Sequence, residues 1–111
     1  MEELDYKRVH SRIMYSTRLE CYRYYENNEL KRYNPPMELI MFDLSLGGIG
    51  VISEEYLKIG NVLMFTLKLN IMPYQVMAKV VWTYKIGHMY RSGLEFVGMP
   101  NGLVREIKEL Q

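Results

Sequence analysis

The chain has 111 residues, 49% hydrophobic and 24% charged, a composition that fits one packed domain and excludes a disordered chain. The formal net charge of +1 excludes a broad field for coating a nucleic-acid duplex or an anionic membrane, so any anion must be bound locally. A single cysteine excludes an internal disulfide and no apolar run is long enough for a membrane span, which together predict a cytoplasmic protein.

The first part of the chain is interpreted as an arm followed by two strands. Residues 1–12 mix both signs of charge with scattered apolar residues, which favours a flexible N-terminal arm. From Ile13 to Cys21 the residues alternate between apolar and polar, as in a strand with one buried face. The segment 25–36 contains asparagines, charges and a Pro-Pro pair and is interpreted as a surface loop. A second strand is predicted over Met37–Phe42.

Four further strands are expected downstream. Turn residues at 43–48 precede a short third strand over Ile49–Ile52. Alternation of apolar and polar residues predicts the fourth strand over Leu63–Leu69 and the fifth over Val76–Trp82. The sixth runs from about Met89 to Phe96, and the glycines near it permit a bend or a bulge.

The last residues change from a strand period to a helical one. Apolar residues at helical spacing predict a helix over 101–110, with Asn101 as its N-cap. Six short strands and one amphipathic helix predict an all-β fold, a six-stranded antiparallel β-barrel with a C-terminal α-helix. We expect a single domain made of the arm at 1–12, the barrel at 13–96 and the helix at 101–110.

Two arginines stand out in the arm. Arg8 and Arg12 form an RxxxR motif on a segment too polar to be buried. A guanidinium is planar and always charged, so it can stack on a base, grip phosphate with two bonds or reach guanine O6 and N7. Taken alone, the pair could equally consist of solvated surface residues.

The segment Asp43-Leu44-Ser45-Leu46-Gly47-Gly48 lies where one strand ends and the next begins. A carboxylate suits the N1 and N2 donors of guanine, whereas a hydroxyl and free backbone amides suit phosphate oxygens. The paired glycines would permit positive φ and close approach of a ligand to the backbone. An ordinary Asx turn is the alternative interpretation of this segment.

Together the two motifs resemble the signature of the PilZ domain, a bacterial receptor module for cyclic di-GMP. That signature is RxxxR before the first strand and [DN]xSxxG between the second and the third. Arg8 and Arg12 supply the first motif, and Asp43, Ser45 and Gly48 supply the second. The segments KVVWT and RSGLEF and the terminal helix are also similar to the family.

The resemblance implies a barrel of the split-barrel type that binds cyclic di-GMP and needs no metal or other cofactor. The two arginines would hold guanine Hoogsteen edges and phosphates, and Asp43 would bind a Watson–Crick edge. Ser45 and the Gly48 backbone would face phosphate and ribose. The expected ligand contacts are therefore Arg8, Arg12, Asp43, Ser45 and Gly48, with Lys7 and Gly47 of second rank.

The arm is expected to close over the bound nucleotide and to signal to a partner protein, and the resemblance implies regulation of motility or of a surface polysaccharide. Catalysis is not expected, since no hydrolase elbow or phosphate-binding loop motif is present. His10 and His88 do not stand at metal-ligand spacing. Trp82 is expected to pack in the core or at the rim rather than to form a ligand platform.

Two alternative functions stay open at this point. The chain could be a PilZ-like adaptor that acts only through protein contacts. It could also be a small barrel that binds single-stranded nucleic acid, since its ten tyrosines could stack on bases. The near-neutral charge argues against nucleic acid, and the intact motifs argue against the adaptor.

Overall fold

The computed structural model describes residues 12–111, which form six antiparallel strands in one closed barrel followed by one helix. The elements are β1 (Ile13–Glu26), β2 (Glu29–Leu44), β3 (Gly48–Ser53), β4 (Val62–Lys68), β5 (Pro73–Ile86), β6 (Met89–Gly98) and α1 (Asn101–Leu110). The strand order around the barrel is β1-β2-β3-β6-β5-β4, and β4 pairs back with β1. The predicted fold class is therefore confirmed, whereas the predicted arm lies, except for Arg12, outside the described residues.

The barrel interior is filled by the apolar residues whose alternation predicted the strands. On β4, and on β5 as far as Val80, every second side chain points inward, because successive side chains of a strand point to opposite faces. Most residues of the rows predicted for the first, fourth and fifth strands are buried, namely Leu19, Cys21, Leu63, Phe65, Leu67, Val76, Ala78 and Val80. The remaining members of these rows are only partly buried, namely Ile13, Tyr15, Thr17, Leu69 and Trp82. One continuous core therefore supports all six strands.

The segment 25–36, interpreted above as a loop, is instead the end of a long β1–β2 hairpin. Its turn is Asn27-Asn28, with φ of 52° and 66°. A two-residue hairpin of this kind needs positive φ at both central residues, which asparagine tolerates. Pro35 and Pro36 lie within β2, at an irregularity of the β1–β2 register. The interpretation was wrong because it took the prolines for a break in the strand rather than for a bulge within it.

The predicted helix is confirmed as α1, and its Leu103 and Ile107 side chains are buried in the core. Its N-cap is Pro100 rather than Asn101, and no side chain caps the first turn. The Tyr74 hydroxyl of β5 donates a 2.7 Å hydrogen bond to Glu106 Oε2 and ties the helix to the sheet. No helix in the part of the chain from residue 12 onward is long and apolar enough to span a membrane.

Candidate functional site

The structure brings the two sequence motifs into direct contact through Arg12 and Asp43. Arg12 immediately precedes β1, and Asp43 is the penultimate residue of β2. The antiparallel register sets Met14 opposite Asp43, so the two motifs meet at the same end of the barrel. Arg12 Nη1 donates a 2.7 Å hydrogen bond to Asp43 Oδ2, across 31 positions of sequence.

The two partners of this ion pair differ sharply in exposure. The Arg12 side chain is 63% exposed and the Asp43 side chain is 9% exposed. The exposed Arg12 side chain can move into solvent, but its departure would leave the buried Asp43 carboxylate without a donor unless a ligand supplied one. Asp43 Oδ1 is buried and has no hydrogen-bond partner within the described chain. A buried acceptor without a donor is unfavourable, so this carboxylate is suited to accept hydrogen bonds from a ligand.

Ser45 organises the turn between β2 and β3. Its Oγ accepts hydrogen bonds from the Gly47 and Gly48 amides at 3.2 and 3.3 Å, and its own amide donates to the Gly48 carbonyl at 2.9 Å. Both glycine amides are therefore engaged within the turn, and the ligand contacts expected at Ser45, Gly47 and Gly48 stay predictions. The Ser45 hydroxyl stabilises the turn through these two hydrogen bonds.

Gly48 allows two strands to approach closely. A Cβ at this position would lie 2.0 Å from the Leu94 carbonyl oxygen of β6. Positive φ is not the reason for this glycine, since the glycines of the described chain with positive φ are Gly60 and Gly87. The requirement for glycine at the last position of the motif comes from the packing of β3 on β6.

A pocket of about 490 Å³ opens beside the ion pair. Its size falls within the usual range for small-molecule sites. It is formed by the arm junction, the β2–β3 turn and strands β3, β5 and β6. The lining residues are Arg12, Ser45, Gly47, Gly48, Ile49, Val81, Trp82, Gly93, Leu94 and Glu95.

Trp82 lines the pocket, whereas the sequence analysis expected it only to pack in the core or at the rim. The core-facing alternation of β5 ends at a register irregularity between Val80 and Trp82, and the indole lies over Gly93 of β6. It also stacks on Tyr84, with ring centroids 5.4 Å apart. Trp82 therefore packs on the sheet, as expected, and also lines the pocket. Glu95 was not a candidate at all, because no sequence signal reveals which outward side chains border a pocket.

The remaining ligand contacts expected from the sequence, and the two histidines, lie away from this pocket or outside the described residues. Lys7 and Arg8 lie outside the described residues, as does His10, so their positions stay predictions. His88 sits in the β5–β6 turn. Among residues 12–111, no three His, Cys, Asp or Glu side chains are grouped as a metal site would require.

The fold and this site define a small β-barrel domain with a pocket beside the ion pair that joins the two motifs. The family model of the PilZ domain matches residues 6–110, and the chain belongs to that family. The comparison with curated proteins gave no match.

Two solved structures share the fold. Bacillus subtilis Inhibitor of motility (MotI/DgrA) superposes with a TM-score of 0.67 at 15% identity, covering 90% of this chain and 47% of that one. The PilZ domain with c-di-GMP of YcgR from Escherichia coli gives a TM-score of 0.66 at 14% identity, covering 91% and 86%. The chain thus spans about half the length of the MotI chain.

Proposed function

We propose that this chain is a cytoplasmic, non-catalytic receptor for cyclic di-GMP that signals to a partner protein. The observation that carries the proposal is the 2.7 Å contact between Arg12 and Asp43, because it joins the two motifs beside a pocket that Arg12 lines and Asp43 does not. Membership of the PilZ family supports the ligand, as does the similarity to a YcgR domain whose structure contains c-di-GMP.

Ligand binding would proceed by exchange at the Asp43 carboxylate. In the described state Arg12 occupies Oδ2, whereas Oδ1 is buried without a donor. The N1 and N2 hydrogens of guanine can replace the guanidinium on this carboxylate, since both are donors. The released Arg12 then grips a phosphate or a guanine Hoogsteen edge, and Arg8 supplies a second guanidinium from the arm.

The remaining pocket residues would act through shape and stacking. Ser45 holds the β2–β3 turn in place through the Gly47 and Gly48 amides, so its removal would loosen the turn that presents Asp43. The Trp82 indole offers an aromatic surface for a base. Lys7 would add positive charge beside the phosphates.

The signal would arise from the arm at 1–12. A nucleotide held by Arg8, Arg12 and Asp43 ties the arm to the β2–β3 turn, so the position of the arm depends on the ligand. A partner that contacts both the arm and the barrel would then distinguish the bound state. The family resemblance points to motility or polysaccharide machinery as the regulated system.

Calorimetric titration with cyclic di-GMP tests the ligand assignment. Arg8→Ala, Arg12→Ala and Asp43→Ala should each weaken binding by about 1–3 kcal/mol, the value of one bidentate contact. Arg18→Ala is the matched control, because Arg18 is an exposed β1 arginine that pairs with Glu38 at 3.2 Å and does not line the pocket. Tight binding that survives both Arg12→Ala and Asp43→Ala would refute the proposed site.

Calorimetric titrations also separate the receptor from the two alternative functions, the nucleic-acid barrel and the adaptor. Higher salt should weaken binding of the nucleotide, because a charged ligand releases counterions. A chain that ignores cyclic di-GMP but takes up single-stranded oligonucleotides would be a nucleic-acid barrel. One that binds neither would be an adaptor.

A further inference from the structure

A second concavity, of about 680 Å³, lies on the outer wall formed by β1, β2 and β4, with Gln75 of β5 at its border. It shares no lining residue with the pocket beside Asp43. The lining residues are Tyr22, Arg23, Arg32, Tyr33, Asn34, Pro36, Met64, Phe65, Thr66 and Gln75. Nothing in the proposed function uses this surface.

The concavity results from an irregular stretch of the β1–β2 ladder. Cys21 pairs with Met37, but the next pair along the ladder is Arg23 with Arg32. The β2 chain therefore swings out over residues 33–36 opposite one residue of β1. Bulges of this kind bend a strand and redirect the neighbouring side chains.

The same register sets two arginines directly opposite each other. Like charges at directly opposite positions destabilise a sheet. The ion pairs among the described residues do not include Arg23 or Arg32, and the concavity has no carboxylate in its lining. Arg18, farther along the same hairpin, is by contrast paired with Glu38. The repulsion between Arg23 and Arg32 is therefore left uncompensated within the described chain.

We propose that Arg23 and Arg32 form a second ligand site, specific for a terminal phosphate group. A carboxylate has two oxygens, which one guanidinium fork satisfies. A terminal phosphate presents three oxygens and close to two negative charges, so it can accept from two forks at once. Two arginines at directly opposite positions of a strand pair can supply these two forks.

The lining also provides an apolar border. Tyr22 is 54% exposed, and Met64 of β4, which also lines the concavity, is paired with Arg23 in the ladder. Aromatic rings and thioethers offer contact area to a flat organic group. The site therefore fits inorganic phosphate and also a small organic phosphate such as a nucleoside monophosphate.

Thermal unfolding at constant ionic strength tests the proposal, with sodium phosphate or guanosine monophosphate replacing sodium chloride. Both probes should raise the Tm of the wild-type protein more than chloride does. Arg23→Gln and Arg32→Gln should each weaken binding at least tenfold, while the matched control Arg18→Gln leaves it unchanged. Without ligand and at low salt, the first two variants should melt higher than the wild type, because the repulsion is removed. Cyclic di-GMP binding should be the same in all three variants.

The two probes distinguish an organic phosphate from inorganic phosphate as the ligand. Tighter binding of guanosine monophosphate than of phosphate identifies the ligand as an organic phosphate. Equal or weaker binding of the nucleotide identifies it as inorganic phosphate. Phosphate effects that are absent, or that are equal in all variants, overturn the proposal. Binding of a Glu-rich peptide, without binding of either phosphate probe, would also overturn the proposal.

Discussion

Replacing Gly48 with alanine separates a structural from a ligand-binding role for the last motif glycine. The new Cβ would lie 2.0 Å from the Leu94 carbonyl oxygen, 3.0 Å from its carbon and 3.1 Å from Glu95 Cα. All three are backbone atoms, so no side chain can rotate away. β3 must move from β6 by more than 1 Å, on the order of the missing van der Waals distance.

The energetic cost follows from that displacement. Overpacking costs roughly 1–3 kcal/mol, and a weakened ladder hydrogen bond at the Gly48–Glu95 pair adds about 1 kcal/mol. The expected loss is therefore about 2–4 kcal/mol, or about 8–16 °C in Tm for a chain of this size. Urea denaturation followed by circular dichroism measures it.

Gly98→Ala is the matched control, because Gly98 is also a strand glycine, on β6, and a Cβ there meets nothing within 4 Å. It should leave the urea midpoint unchanged or raise it slightly. Equal midpoints for the two variants would refute the close-approach argument. A Gly48→Ala variant that is as stable as wild type but binds cyclic di-GMP poorly would instead assign this glycine to the ligand.

Three other predictions concern separate parts of the barrel. Gly93→Ala places a Cβ 2.1 Å from Trp82 Nε1 and should displace the indole, which would shift the emission of this single tryptophan and lower nucleotide affinity. In the hairpin turn, where Asn28 has a φ of 66°, Asn28→Gly should be neutral or stabilising and Asn28→Val should cost about 1–2 kcal/mol in urea unfolding. Burial raises the pKa of the Cys21 thiol from 9.0 to about 11, so the native protein should resist thiol reagents at pH 8 until it is unfolded. Because the folded-state pKa is the higher one, the contribution of the neutral Cys21 thiol to the free energy of unfolding is fully present below pH 9. The wild-type protein should lose this contribution as the pH rises from 9 to 11, whereas a Cys21→Ala variant should not.

The sequence by itself determined the fold class, most of the core and the two motifs. Alternation with a period of two identified the inward rows on β1, β4 and β5, because that period is a local property of an extended chain. The change to a helical period identified α1 in the same way. The motifs at Arg12 and Asp43 were also visible, since they depend on residue type and spacing alone.

Only the tertiary structure decided where those residues meet and what they contact. The ion pair between Arg12 and Asp43 depends on the register of β1 against β2. The segment 25–36 is a hairpin because Asn27-Asn28 forms a tight turn and a bulge accommodates the prolines within β2. A register irregularity on β5 places Trp82 at the pocket wall rather than in the core-facing row. The use of the Gly47 amide by Ser45 was equally hidden. Register, bulges and turn hydrogen bonds are settled by the packing of distant segments against one another, and no local pattern in the chain encodes them.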